Sequence, residues 1–295
     1  MGALEGKVAV VTGAGRGIGR GEALLLAAEG AAVVVNDLDS DPLEQVVKEI
    51  ESRGGQAVAH SADVANWDEA RALIARAVDT FGDLHVLVNN AGFLRDKMSF
   101  NMDEESFDAV IRVHLKGHFA PSRWAAAYWR DKAKEGGETA GRIINTSSEA
   151  GLWGNAGQAN YGAAKGGIYS MTVVLARELR RYGVTANAIA PRARTRMTEP
   201  LGGQFDPGQR PTDAFDTLHP DNVAPVVGWL ASDAAAGVSG QVFLVTGGRV
   251  HLISGFAEAS VIRKDDRWTV DELIAAQAEL FAGRPSKIPP FSVQA

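Results

Sequence analysis

Ser148, Tyr161 and Lys165 fall in the stretch NTSSEAGLWGNAGQANYGAAKG, residues 145–166. Together these side chains can polarise an alcohol or ketone and move its proton. A Tyr and a Lys four apart share one face of a helix. A phenol ionises only at about pH 10 and is a poor base at neutrality. A neighbouring ammonium favours the phenolate and lowers that value. The serine just upstream can donate to the substrate oxygen. By itself a Tyr-to-Lys spacing of four also describes a surface helix with a solvated lysine. What supports the chemical reading is the start of the chain.

There, the apolar run Val8–Thr12 leads into GAGRGIG, which holds Gly13, Gly15, Gly17 and Gly19. A glycine loop between a strand and a helix lets main-chain N–H groups approach a pyrophosphate, and the helix N-terminus favours the negative charge. Arg16 and Ile18 complete the loop. It is not a Walker loop, which ends in Gly-Lys-Ser/Thr. The second apolar run ends in VVVNDLD. Asp37 stands eighteen residues after Gly19, near the spacing of the acid that binds an adenosine ribose. A carboxylate there accepts from ribose hydroxyls and repels a 2′-phosphate, which favours NAD over NADP. Arg16 is the counter-argument, as a cation able to hold a phosphate, and Asp39 competes with Asp37 for the ribose. Asp63 and Val64, after the third strand, are placed to meet the adenine. Asn90, Ala91 and Gly92 end the fourth strand with small residues that admit the cofactor.

The elements that must position these groups alternate. Strands are expected at Val8–Thr12, Ala32–Asn36, Ala57–Ser61, Leu84–Asn89, Gly141–Thr146, Thr185–Ala190 and Gln241–Val245. Helices are expected at Gly19–Glu29, Pro42–Arg53, Asp68–Phe81, Asp103–Lys134, Tyr161–Tyr182 and Pro220–Ser232. Nearly continuous apolar strands suit a parallel sheet covered on both faces. The pattern predicts a single α/β domain, a Rossmann-type, doubly wound, parallel seven-stranded sheet in the order 3-2-1-4-5-6-7. That domain spans residues 1–255, and 256–295 form a C-terminal extension with a short helix at Val270–Leu280. The Pro-, Gly- and Thr-rich segment 191–219 follows a strand's carboxyl end and reads as a substrate lid.

The 295 residues carry a net charge of −6 and no basic run, which argues against nucleic acid as a partner. There are no cysteines, so thiolate catalysis and disulfides are excluded, and a reducing compartment fits. The start lacks the pattern of a secretory signal and no apolar run is long enough to span a bilayer. A cytoplasmic location without a membrane partner is therefore expected. No metal site is expected.

TGAGRGIG (12–19), NNAG (89–92), Ser148 and YGAAK (161–165) occur in an order and spacing that resemble the short-chain dehydrogenase/reductase family. The resemblance covers roughly residues 5–250. It implies that Ser148 binds the substrate oxygen, Tyr161 is the acid/base, and Lys165 holds the nicotinamide ribose and lowers the tyrosine pKa. Tyr161 and Lys165 thus also touch the cofactor. The family asparagine, which orders a water through its backbone, falls here at His114, so His114 is a candidate relay or a buried structural histidine. Pro191 occupies the start of the family's Pro-Gly turn, but Arg192 follows it. Thr195 best matches the threonine that meets the carboxamide. Arg192, Arg194 and Arg196 are expected at the mouth of the site, either facing acyl-CoA phosphates or solvated. Phe93, Leu94, Leu152 and Trp153 are candidates for an apolar cleft or for loop packing.

The passages NNAGFLRDKMSF, VHLKGHF, GNAGQANYGAAK and IAPRARTRMT look more narrowly like the (3R)-hydroxyacyl-CoA dehydrogenase domain of multifunctional enzyme type 2, also termed the type 4 17β-hydroxysteroid dehydrogenase. The activity implied is hydride exchange between NAD and a secondary alcohol or ketone, with a 3-hydroxyacyl-CoA or a hydroxysteroid as substrate. The alternative is a 3-oxoacyl-carrier-protein reductase using NADPH. A non-catalytic dinucleotide sensor is disfavoured because all three catalytic side chains are present. The helices Asp103–Lys134 and Tyr161–Tyr182 are the implied subunit contacts of a homodimer or homotetramer.

Overall fold

The computed structural model describes residues 2–199, 202–206, 208 and 214–288. Two compact units are formed, Met1–Ile253 and Ser254–Ala295. In the first, strands and helices alternate: β1 (Val8–Thr12), α1 (Gly17–Ala28), β2 (Ala32–Asp37), α2 (Ser40–Ser52), β3 (Gln56–Ser61), α3 (Trp67–Phe81), β4 (Val86–Asn89), α4 (Glu104–Ile111), α5 (Gly117–Lys134), β5 (Arg142–Thr146), α6 (Glu149–Trp153), α7 (Ala159–Leu179), β6 (Thr185–Arg192), α8 (Ala224–Ala231), β7 (Val242–Thr246) and β8 (Arg249–Ile253). They build one sheet in the order β3-β2-β1-β4-β5-β6-β7-β8.

Strand β1 explains the doubly wound form. All five of its residues are buried, and successive side chains point to opposite faces. Ala9 and Val11 join the core made with Leu24, Leu26, Leu43 and Leu230 of α1, α2 and α8. Val8 and Val10 join the other core, with Leu73, Trp129 and Leu175 of α3, α5 and α7. A strand covered on both sides has no polar alternation to show, which is why VAVVT reads as a continuous run.

The expected seven strands become eight. β8 pairs antiparallel with β7, Thr246 opposite Arg249, across the two-residue turn Gly247-Gly248. Gly247 takes a φ of 54°, which a side chain disfavours. A Gly-Gly pair between apolar runs is a hairpin signal. It escapes notice because four of the five residues of β8 are exposed, so it shows no buried apolar run.

The expected helix Asp103–Lys134 is also corrected. Asp103 caps α4, its side chain accepting from Ser106 N. A π-helical turn, Arg112–Lys116, then separates α4 from α5. Pro121 lies inside α5, cannot donate to the carbonyl one turn back, and has the wide turn on its N-terminal side. In the second unit the expected helix Val270–Leu280 is two short helices, α9 (Val270–Ala275) and α10 (Gln277–Phe281). Thr269 and Glu272 form a capping box at the start of α9. Among the described residues no helix is long and apolar enough to cross a membrane.

One buried carboxyl group stands apart from the sheet ends. Glu22 of α1 is 0% exposed, and neither carboxyl oxygen has a hydrogen-bond partner among the described residues. Burial pushes its pKa up to about 8. The folded protein therefore holds this proton more tightly than the unfolded chain, and stability is lost as pH rises from about 4.5 through about 8. Glu22→Met is expected to flatten that slope and to raise the urea midpoint at pH 8 by more than at pH 5, as measured by denaturation at both pH values.

Candidate active site

The site residues gather at the carboxyl ends of the parallel strands, where an open α/β sheet binds ligands. The glycine loop leaves β1 and is tied to the end of β4. Thr12 Oγ1 accepts from Asn90 N at 3.0 Å and Ala91 N at 3.2 Å. Asn90 Nδ2 donates to the carbonyls of Thr12 at 3.1 Å and Gly13 at 3.2 Å. A Cβ on Gly19 would lie 2.3 Å from the Gly13 carbonyl oxygen, so the loop can close on α1 only with glycine there. Gly17 begins α1 at a φ of 57°, and Ile18 packs onto the core. Arg16 caps α1 without a side-chain bond, and the first turn holds no acidic side chain, so its N–H groups face outward without a competing anion. This cradle fits a pyrophosphate.

Asp37, at the end of β2, accepts from Gly15 N at 3.1 Å and Leu38 N at 2.8 Å. These bonds fix the carboxylate beside the loop and leave lone pairs for ribose hydroxyls. Arg16 pairs with Asp39 at 3.3 Å, both exposed. Asp63 is engaged by Arg112 and accepts from Ala65 N at 2.9 Å. The Val64 side chain is buried in the core with α3 and α5, leaving its main chain for an adenine. Pro191 lies in β6 opposite Val245. Thr195 Cγ2 would be 3.5 Å from a Cβ on Gly17, which places Thr195 over the glycine loop. A dinucleotide would thus be held by Gly13–Gly19, Asp37, Asn90–Gly92 and Thr195.

Ser148 is the N-cap of α6, its Oγ accepting from Ala150 N at 3.2 Å. Tyr161 and Lys165 sit one turn apart on α7. Lys165 is 2% exposed; its Nζ donates to the Thr146 carbonyl at 2.6 Å and lies 5.6 Å from the centre of the Tyr161 ring. Burial pushes Lys165 down to about 7. Burial also pushes the Tyr161 phenol up to about 12, against the Ser148 hydroxyl, which lowers it, and with the Asp96 carboxylate, which raises it. In the ligand-free protein burial is the largest influence on both groups. His114 is 1% exposed. Its Nε2 is 2.7 Å from the Phe93 carbonyl and 3.1 Å from Phe93 N, and its ring stands edge-on to Tyr161 at 5.1 Å. Burial pushes it down to about 3, so it is a neutral imidazole. A Cβ on Gly92 would sit 2.1 Å from His114 Cε1, so Gly92 makes room for that ring.

Residues 7–204 match the short chain dehydrogenase family. The chain belongs to this family. It is 50% identical to the hydroxyacyl-CoA dehydrogenase ChsB1 of Mycobacterium tuberculosis, over 95% of this chain and 90% of that one. It is 46% identical to a 3-oxoacyl-[acyl-carrier-protein] reductase of Synechocystis sp., over 85% and 99%. It is 42% identical to the peroxisomal multifunctional enzyme type 2 of Mus musculus, over 78% of this chain and 30% of that enzyme. A crystal structure of a short chain dehydrogenase from Mycobacterium avium superposes with a TM-score of 0.89 at 49% identity, covering 99% and 100% of the two chains. The short-chain dehydrogenase fold and an oxidoreductase acting on CH–OH groups follow.

The arginines of this dehydrogenase are not where the sequence puts them. Arg192 is buried and grips Glu149 with two arms of its guanidinium, Nε lying 3.0 Å from Oε2. The Arg194 guanidinium is buried against Asp216 at 2.7 Å, and the Arg194 main-chain N–H donates to the Leu218 carbonyl at 2.7 Å. These contacts close the neck of the segment expected as a lid. Residues 200, 201, 207 and 209–213 of that lid lie outside the described residues. Only Arg196 of the three is exposed. Phe93, Leu94 and Leu152 are half-buried, while Trp153 is exposed.

Three groups beside Tyr161 escape the sequence reading. Gln158 Nε2 donates to Asp96 at 2.7 Å. Asn160 donates to the carbonyls of Arg95 at 3.0 Å and Ser106 at 3.1 Å, and accepts from Tyr161 N at 2.8 Å. They lock the loop after β4 onto the start of α7. The available signal is the polar run GQAN directly before Tyr161.

Proposed function

We propose that this protein is an NAD-dependent dehydrogenase that oxidises the hydroxyl of a 3-hydroxyacyl-CoA, or of a hydroxysteroid, to the ketone. The observation that carries this reading is the convergence of Ser148, Tyr161 and buried Lys165 beside the glycine cradle and Asp37. A nicotinamide cofactor held by these residues would supply the hydride acceptor for the alcohol carbon. Ser148 Oγ donates to the substrate oxygen and holds it through its change of charge. Tyr161 takes the hydroxyl proton as the carbonyl forms, which is general base catalysis. Lys165, held by the Thr146 carbonyl, would offer its remaining N–H groups to the cofactor ribose. The acyl-CoA substrate is supported by the name of the mycobacterial relative, and a homodimer or homotetramer by the family.

The test is initial rates of NAD and NADP reduction with a 3-hydroxyacyl-CoA and with a hydroxysteroid. NAD reduction is expected with the first. Activity confined to NADPH and a 3-oxoacyl-carrier-protein would instead favour the reductase.

Asp37 supplies a sharper prediction. A carboxylate about 4 Å from a phosphate costs on the order of 4 kcal/mol per charge pair at an effective dielectric of about 20. kcat/KM with NAD is therefore expected to exceed that with NADP by roughly 100-fold or more. Asp37→Ser is expected to narrow the ratio to about tenfold or less, because the repelling carboxylate is gone. An unchanged ratio would remove Asp37 from the ribose.

A further inference from the structure

The loop after β4 brings a carboxylate to the start of the helix that carries Tyr161. Asp96 accepts from Gln158 Nε2 at 2.7 Å. Gln158 is 8% exposed and is itself fixed, because its Oε1 accepts from Asn155 Nδ2 at 3.1 Å. The main chain on either side of Asp96 is held to the same turn. The Arg95 carbonyl accepts from Asn160 Nδ2 at 3.0 Å, and Lys97 N donates to the Gly157 carbonyl at 2.9 Å. Asp96 is thus fastened through Gly157, Gln158 and Asn160, directly before Tyr161. The two cations that flank it in the chain are engaged elsewhere. The Arg95 guanidinium lies over the Phe93 ring, 5.4 Å from its centre, and Lys97 pairs with Asp103. Asp96 therefore has a neutral amide as its donor and no ion-pair partner among the described residues. Its charge is left uncompensated near a phenol that must itself become negative to act as a base.

The other groups around Tyr161 are of a different kind. On α7, Lys165 is a cation 5.6 Å from the ring centre. On the π-helical turn, His114 is neutral, and so is buried His118 of α5, both held down by burial and by Lys165. On α6, Ser148 is uncharged and Glu149 is engaged by Arg192. On α4, which packs against α7, Glu104, Glu105 and Asp108 are exposed. We propose that Asp96, oriented by Gln158, is a positioning residue that favours the protonated form of Tyr161 and so raises the pH at which the protein begins to oxidise an alcohol. A second negative charge close by disfavours the phenolate. Burial, the larger influence on Tyr161, works in the same direction, and the Ser148 hydroxyl works against both. Asp96 keeps contact with solvent, which damps its field and limits the expected shift. It acts through Tyr161 and neither gives nor takes the substrate proton.

The catalytic consequence rests on the proposed dehydrogenase reading. Asp96→Asn removes the charge and keeps an oxygen able to accept from Gln158. With NAD saturating, kcat/KM for a 3-hydroxyacyl-CoA is measured from about pH 6 to about pH 10. The acid limb is expected to move down by about half a pH unit or more, so that rates on that limb rise about threefold. On the alkaline plateau the variant is expected to be no faster, because a less basic phenolate takes a proton less readily. Gln158→Met releases the carboxylate, and a shift in the same direction is expected. Asp96→Ser is the second variant should Asp96→Asn not fold. A uniform loss of rate with the midpoint unchanged makes Asp96 a support for the loop alone and overturns the proposal, as does a limb moved to higher pH. The phenol can also be followed without substrate. The chain has four tyrosines, and 13Cζ-tyrosine NMR on the full-length, cofactor-free protein identifies Tyr161 by its loss in Tyr161→Phe. Wherever circular dichroism shows both proteins folded, the ionised fraction of Tyr161 is expected to be about threefold greater in Asp96→Asn. An equal fraction overturns the proposal. A wild-type protein that forms no NADH with these substrates counts against the dehydrogenase reading, and the NMR titration still decides the role of Asp96.

Discussion

Replacing Tyr161 by phenylalanine is expected to lower kcat by roughly 10³-fold while NAD affinity stays within about threefold. The substitution removes one oxygen and keeps the ring that packs edge-on against His114 at 5.1 Å. The contacts assigned to the dinucleotide, from Gly13–Gly19, Asp37 and Thr195, are untouched. The loss therefore falls on the step that needs a proton acceptor at the substrate oxygen. Ser148 cannot take over, because its Oγ accepts from Ala150 N as the cap of α6 and lacks a base to activate it. Steady-state rates with a 3-hydroxyacyl-CoA, together with NAD titration by protein fluorescence, separate the two quantities. Near-normal turnover would remove Tyr161 from the acid–base role. A matching fall in NAD affinity would show instead that the phenol positions the cofactor.

The scaffold that holds Tyr161 was largely legible because its signals are local and repeated. Val8–Thr12 is an apolar run bounded by a glycine loop, and the strand begins and ends at those residues. The same holds for the order of the sheet, which the alternation of strands and helices restricts to few choices. β8 was missed because an exposed edge strand obeys no burial pattern. The π-helical turn at Arg112–Lys116 was missed because apolar periodicity does not register one extra residue in a helix. At the candidate site, residue types and spacing single out Ser148, Tyr161, Lys165 and the glycine loop as candidates. What they did not declare was the environment. Desolvation is the largest influence on both, pushing Lys165 down to about 7 and Tyr161 up to about 12. Desolvation depends on what packs over a residue from distant parts of the chain, so no local pattern contains it.

The arginines carry that point furthest and lead to the second large effect. Three arginines within five residues, 192–196, read as a solvated or phosphate-facing cluster, yet Arg192 is buried against Glu149, forty-three residues away. Glu149 directly follows Ser148 and starts α6, while Arg192 ends β6. The pair is therefore a strut between the serine proposed to orient the substrate and the strand that leads to Thr195. Removing one partner of a buried, hydrogen-bonded pair strands the other charge, at a cost of about 3–5 kcal/mol. Arg192→Met is expected to lose about that much stability in urea denaturation and to lower kcat more than it raises the KM for NAD. Glu149→Gln combined with Arg192→Met leaves no stranded charge and is expected to regain most of the stability, since apolar replacements of whole buried pairs are often tolerated. Turnover should recover less, because the strut that fixes Ser148 is still missing. If the two single substitutions simply add in the double variant, the pair is not coupled and the strut is wrong. If turnover returns fully with stability, Ser148 is held by the α6 cap alone.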